Sequence, residues 1–427
     1  MRDRPHILVE PNAHHLLNLG DVAMLEMAVE RFAALWPQAS IKVITESPER
    51  LACFCPAALP LDVEGRRLWF GRHLLTHTLH RVLPPPVSRR VSELELLLRR
   101  RSPSSAERLV RFRAALNRAS TRPLDEFLAE ALDADLVVST GAGAFTDHFA
   151  SLAIDILDLL ELAKRNGAVT ALLGHGIGPI TNRALLRRGA EVLPLVDLIT
   201  IRERVLGRPL LASLGVPLDR VVTTGDDAVE LAYRAGPPAE PGRFLGFNLR
   251  VARYSHVDPG AAEAVGKGIS DAAGRHSTEP LPISISNHPN ERDADVVAGL
   301  LGRADDVVPV TPIGVIERIQ QCRVVVTGSY HAAVFALAQG IAAVGLTQAP
   351  YYDAKFIGLK DQFDGLLGVV PLGGDDLGSR LARAVDEAWE AADEARPRLL
   401  ELAARQVDEA RSAYRRLSDI VAQAAGA

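Results

Sequence analysis

Residues 324–327, Val-Val-Val-Thr, are β-branched and free of charge, the pattern of a buried strand. Gly328 stops the run. An Ala-rich apolar stretch from His331 to Gly340 then predicts a helix, and 341–346 the next strand. The same alternation fills both halves of the chain. Strands are expected at 6–10, 41–45, 136–139, 169–173, 198–201 and 221–224, with helices at about 21–36 and up to about 162. The second half has strand patterns at 244–249, 281–286 and 307–310 and a helix ending at 321. This order predicts an α/β protein built on parallel, doubly wound sheets. Beyond Pro371 the pattern turns helical, and Pro397 is expected to break that stretch into two helices.

The linker signal is strongest at 236–242, Gly-Pro-Pro-Ala-Glu-Pro-Gly. Residues 1–235 are therefore expected to form one Rossmann-like domain and 243–373 a second. They would face each other across a cleft, with C-terminal helices over 374–427. Residues from about 65 to 120 interrupt the first domain. They are Arg-rich and include Pro84-Pro85-Pro86, so they read as an insertion with an exposed basic face. A length of 427 residues suits two domains, and 48% hydrophobic with 24% charged residues suits a soluble globular chain. A net charge of −5 gives no bulk attraction to nucleic acid. With three cysteines, no leader-like N-terminus and no apolar run of membrane-spanning length, a cytoplasmic protein is expected.

Ligands of open parallel sheets bind at the carboxyl ends of the strands, and helix N-termini there attract anions. Ser329, Tyr330 and His331 occupy such a turn, where a phosphate or carboxylate would be held. The His331 imidazole suits proton transfer near neutral pH. Arg250 closes a strand with Arg253 nearby, and its guanidinium suits bidentate binding of an anion. Lys355, in an expected loop after Tyr351-Tyr352-Asp353, is a further phosphate contact, and His288 faces the presumed cleft. In the first half Asn18, Gly20 and Asp21 form a loop-to-helix junction, with Asp21 spaced as an N-cap. Gly141 and Gly143 mark a turn after a strand, and His175 lies between glycines at another strand end. Those residues are the acceptor-side candidates. Arg202 and Glu203 admit an ion pair, and Asp226 a cap. His14 and His15 are adjacent and project differently, and no carboxylate or cysteine spacing supports a site, so no metal is expected; no cofactor is expected either.

The order of these motifs resembles the polysaccharide pyruvyl transferase family. Asn18-Leu19-Gly20-Asp21 is similar to its N-terminal Asn-x-Gly-Asp turn, and Gly141 to Gly143 with Asp147 to its Gly-rich turn. Ile201-Arg202-Glu203 resembles its strand ending in Arg-Asp/Glu, and Asn248-Leu249-Arg250 the strand that opens its second domain. Asp226 resembles the acidic residue ahead of the linker. Thr327 to His331 resembles its Gly-x-Arg-x-His helix entry, and Lys355 its trailing lysine. Two positions depart: Ser329 stands where many members have arginine, and Ala342 where they have proline. The resemblance implies a GT-B-like pair of domains and transfer of a pyruvyl group from phosphoenolpyruvate, as co-substrate, to a sugar hydroxyl in polysaccharide biosynthesis. His331 would be catalytic. Arg250, Ser329, Tyr330, Lys355 and His288 would hold the donor, and the sugar or lipid-linked sugar acceptor would lie on the first domain. The Arg-rich insertion would be a solvated face or a peripheral contact with lipid headgroups. Two other readings stay open: a nucleotide-sugar glycosyltransferase on the same scaffold, and a non-catalytic sugar-phosphate binding protein.

Overall fold

Short apolar runs become strands in two separate parallel sheets. In the computed structural model the described residues are 4–71, 94, 97–116, 120–141, 143–251, 257–289, 291–302 and 308–426. The Pro84-Pro85-Pro86 stretch, Ala142, Arg253 and Val307 lie outside them. The first sheet comprises β1 (His6–Glu10), β2 (Ser40–Thr45), β3 (Leu59–Asp62), β4 (Leu136–Ser139), β5 (Val169–His175), β6 (Leu198–Ile201) and β7 (Val221–Thr223). Their order is β3-β2-β1-β4-β5-β6-β7. The second sheet comprises β8 (Phe244–Asn248), β9 (Pro280–Pro282), β10 (Cys322–Thr327), β11 (Ala342–Thr347) and β12 (Leu367–Pro371), ordered β12-β11-β10-β8-β9.

The chain reverses its direction of travel between β1 and β4 in the first sheet, and between β8 and β10 in the second. Loops leaving a sheet at such a reversal diverge and open a crevice at the strands' carboxyl ends. Glu10 lies level with Ser139, and Asn248 with Thr327, so each pair of strands delivers its loops at one height. Both crevices face the same interdomain space.

Several expectations need correction. The stretch 281–286 stays in the sheet only as far as Pro282. Its next residues are pulled away because the Asp293 carboxylate accepts from the backbone N–H groups of Ile285 and Ser286, both at 2.9 Å. Ser286 instead bridges Asn18 across the domain boundary, flanked by Leu19 N–H to Ile285 O at 2.9 Å and Asn287 N–H to Leu17 O at 2.9 Å. Residues 308–310 form no strand. Pro397 does not split the C-terminal region, which is one helix, Leu377–Gly426. An internal proline costs about 3 kcal/mol, and the burial of this helix's apolar stripe outweighs that. Leu381 and Val385 pack on the second sheet's outer core, Leu402 and Val407 on the interdomain core, and Tyr414 and Leu417 on the first domain. The helix thus fastens the two domains together. A buried network of Arg31, Asp227 and Tyr414 anchors it, with Arg31 Nη1 to Asp227 Oδ1 at 2.5 Å and Tyr414 Oη donating to Asp227 Oδ2 at 2.9 Å.

Candidate active site

Every strand end near the two reversals contributes to one interdomain cavity of about 280 Å³. Asn12, His15, Asn18 and Asp21 follow β1, Gly143 and Phe149 follow β4, and Arg202 follows β6. Arg250 follows β8, Ser286, His288 and Glu291 follow β9, Ser329 to His331 follow β10, and Tyr351, Tyr352 and Lys355 follow β11. The first domain's entry is set by helix α1 (Leu19–Leu35), whose N-cap is Asn18. Its Oδ1 accepts from Gly20 N at 3.0 Å and Asp21 N at 3.3 Å. Asp21 is therefore not the cap. It sits in the first turn with its carboxyl free to line the cavity.

His331 enters from the opposite domain, in the first turn of helix Tyr330–Ala338, with Ser329 as N-cap residue. The two domains meet closely here: a Cβ on Gly20 would lie 2.0 Å from the His331 Cγ, so only glycine admits the imidazole. His331 is 7% exposed, its Nε2 has no hydrogen-bond partner among the described residues, and Asp226 Oδ2 lies 3.8 Å away. Burial, then the charges of Arg202 and Lys355, hold its pKa well below the ordinary histidine value. This shift favours the neutral imidazole at neutral pH.

The cation that dominates the cavity is Arg202, not Arg250. Arg250 lines the cavity, but its fork is occupied: Nη1 donates to Asp293 Oδ1 at 3.1 Å and Glu291 O at 2.8 Å, and Nη2 to Glu291 Oε2 at 2.8 Å. Arg202 does not pair with Glu203. Glu203 instead accepts from the N–H groups of Leu206 and Gly207 at 2.8 and 2.7 Å, capping the next helix. Arg202 lies over the Tyr330 ring at 4.3 Å and touches one carboxylate, Asp226 Oδ2, at 3.4 Å. Gly176 makes room for it, because a Cβ there would stand 2.6 Å from Arg202 Nη2. The Gly-His-Gly turn thus cradles an arginine side chain. Reading Arg202 as half of a local ion pair missed it; its place at a strand's carboxyl end was the available signal.

Lys355 belongs to helix Pro350–Gln362, not to a loop. Its Nζ lies 4.0 Å from the Tyr351 ring centre and 5.8 Å from that of Tyr330. Burial and Arg202 push its pKa well below the usual lysine value, with Asp21 and Asp226 opposing. Gly143 approaches the same pair, so a Cβ there would lie 2.2 Å from the Tyr351 hydroxyl and 3.0 Å from Lys355 Nζ. His288 lines the cavity and meets His15 edge-on at 5.8 Å.

Three acceptor-side candidates do not line the cavity: Gly20, which packs behind His331, His175 and Gly141. His175 is fully buried, with Nε2 on the Ser139 carbonyl at 3.1 Å, and burial pushes its pKa down to about 3. Its strand runs two residues further than the apolar pattern suggested, which carries it into the core. Gly141 packs against the Gly174 carbonyl and the Met24 sulfur. Asp226 precedes Asp227, the N-cap residue of helix Ala228–Arg234; its Oδ1 accepts from Ala228 N at 2.9 Å, and its carboxylate stands between Arg202 and His331. His14 and His15 go to different carboxylates, Glu10 and Glu46.

At the site, Asp21 and Asp226 resist ionisation. Burial raises Asp21 to about 6 despite Lys355 and Arg202, and raises Asp226 to about 6 despite Arg202. Between the ordinary value of 3.8 and about 6 the folded Asp21 binds more proton than the unfolded chain, so its contribution to stability is lost as pH rises through that window. Asp21→Asn is therefore expected to raise the melting temperature above about pH 7 and to lose that advantage near pH 4. Melting curves across pH check this, and destabilisation at neutral pH would refute it.

Among the described residues no helix is long and apolar enough to cross a membrane. No curated protein matches the sequence. Solved structures share the fold across the whole chain. A putative UDP-N-acetylglucosamine 2-epimerase from Listeria monocytogenes is similar at TM-score 0.54 and 10% identity, over 93% of this chain and 90% of that one. The UDP-GlcNAc 2-epimerase from Neisseria meningitidis gives 0.52 and 10% over 99% of both chains. A UDP-glucose:anthocyanidin 3-O-glucosyltransferase gives 0.54 and 10%, over 99% and 100%. At such identities the likeness establishes the GT-B-like two-domain fold alone. The sequence profile described as polysaccharide pyruvyl transferase matches residues 18–350, from the N-cap of α1 to the start of the Lys355 helix, and so takes in most of the residues that line the cavity. The chain belongs to the polysaccharide pyruvyl transferase family and is a transferase.

Proposed function

We propose that this enzyme transfers the enolpyruvyl unit of phosphoenolpyruvate to hydroxyls of a sugar, leaving a pyruvate ketal and inorganic phosphate. The observation that carries this reading is the convergence of Arg202, Lys355 and a helix N-terminus with His331 and Asp21 in one interdomain cavity. Arg202 supplies positive charge in a poorly solvated site, where an anionic donor is held strongly, and the donor's own charge favours the protonated form of the depressed Lys355 amine. The Tyr330 ring and Asp226 fix the guanidinium's orientation.

The donor's negative charge raises the proton affinity of its neighbours, so His331 takes up a proton as the donor binds. The imidazolium then delivers that proton to the methylene carbon. The acceptor oxygen adds to the adjacent carbon and gives its own proton to the Asp21 carboxylate. The carbon–oxygen bond to phosphate breaks, and phosphate leaves with the electron pair. A second hydroxyl adds at the same carbon and closes the ketal, its proton passing to His331 or to phosphate. Phe149 and Tyr351, with rings 6.2 Å apart, give the acceptor side an apolar wall on which a sugar face can rest.

Thermal melting with phosphoenolpyruvate and with a panel of nucleotide sugars tests the reading. Phosphoenolpyruvate at about a hundred times its Kd should add about 2.7 kcal/mol of stability, and Ser329→Arg should tighten it further. Protection by a nucleotide sugar alone, with Ser329→Arg abolishing it, would replace this reading with a glycosyltransferase.

A further inference from the structure

Charge in this chain is unevenly distributed. Residues 65–120 hold thirteen arginines against three glutamates, with no lysine or aspartate, a formal +10 in a chain of net −5. Helix Pro103–Leu116 is seated by Ala106, Val110 and Ala114, at 2%, 1% and 0% exposure, which fill the face toward the core. Its outer face presents Arg108 and Phe112, one turn apart, with Phe112 62% exposed. The preceding helical residues repeat the arrangement: Leu94 (66% exposed), Leu97 (46%) and Arg101 recur at helical spacing and are all exposed. Other arginines here are consumed structurally, as Arg100 pairs with Asp158 and Arg111 with Glu107. Arg101 and Arg108 have no ion pair among the described residues.

An outward face that mixes large apolar side chains with arginine is unsuited to water alone. It suits a surface offering phosphates above hydrocarbon, where arginine meets the headgroup and leucine or phenylalanine enters the boundary beneath it. We propose that Leu94, Leu97, Arg101, Arg108 and Phe112 form a docking face for an anionic lipid surface. The remainder of the chain carries a formal −15 and is repelled by the same surface, so attraction is confined to this segment and orients the protein. A nucleic acid would use the arginines but leave the leucines without a role. The assignment does not depend on the donor: vesicle binding can fail while phosphoenolpyruvate still protects the fold, and the reverse.

The test is co-sedimentation of the full chain with vesicles of phosphatidylcholine alone and of phosphatidylcholine mixed with phosphatidylglycerol. Binding is expected to the mixed vesicles only, with release at about 1 M salt, where the Debye length is about 3 Å. Arg101→Glu with Arg108→Glu should weaken partitioning by about fivefold or more per arginine. Phe112→Ser should weaken it without changing the salt dependence. Melting curves verify that each variant is folded. Absence of binding, equal binding to both vesicle types, or variants that bind like the parent would overturn the proposal. So would variants that alter only nucleic-acid binding or oligomeric state.

Discussion

Replacing His331 with alanine is expected to lower turnover by about 10²–10⁴-fold, the usual contribution of a positioned acid–base group, while the fold survives. Among the described residues the imidazole Nε2 has no hydrogen-bonded partner to orphan, and Asp226 stands 3.8 Å away. Removing a buried polar group that has no partner relieves a penalty, which offsets part of the packing lost beside Phe335. The measurement is phosphoenolpyruvate-dependent phosphate release over a panel of sugar acceptors, with a melting curve for each protein. Donor binding should also take up a proton near neutral pH, because the depressed histidine regains its proton beside the donor's charge. Calorimetry in buffers of different ionisation heat reads that uptake, and His331→Ala should reduce it, leaving the share taken up by Asp21, Asp226 and Lys355. Near-parental turnover in the variant would remove His331 from the mechanism.

Arg202→Met should be the most damaging single change to donor binding, and its cost to the fold should depend on pH. Methionine leaves Asp226 buried at 3% exposure without its cation, a situation that costs about 3–5 kcal/mol when the charge remains. Asp226 already titrates at about 6, and losing Arg202 raises that further, so acid conditions neutralise the carboxyl and spare the fold. The variant is expected to be much less stable than the parent near pH 8 and close to it near pH 5. Adding Asp226→Asn should restore stability at high pH without restoring protection by phosphoenolpyruvate. If the double variant regains donor binding, Arg202 acts on the fold alone and the anion is held elsewhere. By contrast, Arg250→Lys should act on the loop that Glu291 and Asp293 form, because those carboxylates already hold its fork.

Much of the fold follows from local pattern. Val324 to Thr327 and the glycine after them announce a buried strand and a helix entry because β-branching and interrupted periodicity are local properties. Both sheets are legible for the same reason. The pattern fails where partners come from far away in sequence. Residues 283–286 look like strand, yet Asp293 captures their backbone and Asn18 takes the next pairing. Pro397 reads as a break, yet packing against both domains carries the helix through it.

His331, Ser329, Tyr330, Lys355, Asp21, Gly143 and His288 could be picked from strand ends and line one cavity. Their shared location follows from a simple rule, that loops diverge where a parallel sheet reverses its order. How each charge is engaged was not in the sequence. Arg250 and Arg202 both close strands, and only the tertiary structure gives one to the Glu291 and Asp293 carboxylates and holds the other between Asp226 and a tyrosine ring. The same holds for glycine. Gly20 and Gly176 are unremarkable in sequence, and their role appears only when a side chain from elsewhere, His331 or Arg202, occupies the space a Cβ would fill. Strand and helix are decided by neighbours in the chain. Ionisation, exposure and close approach are decided by neighbours in space, which for Gly20 and His331 belong to opposite domains.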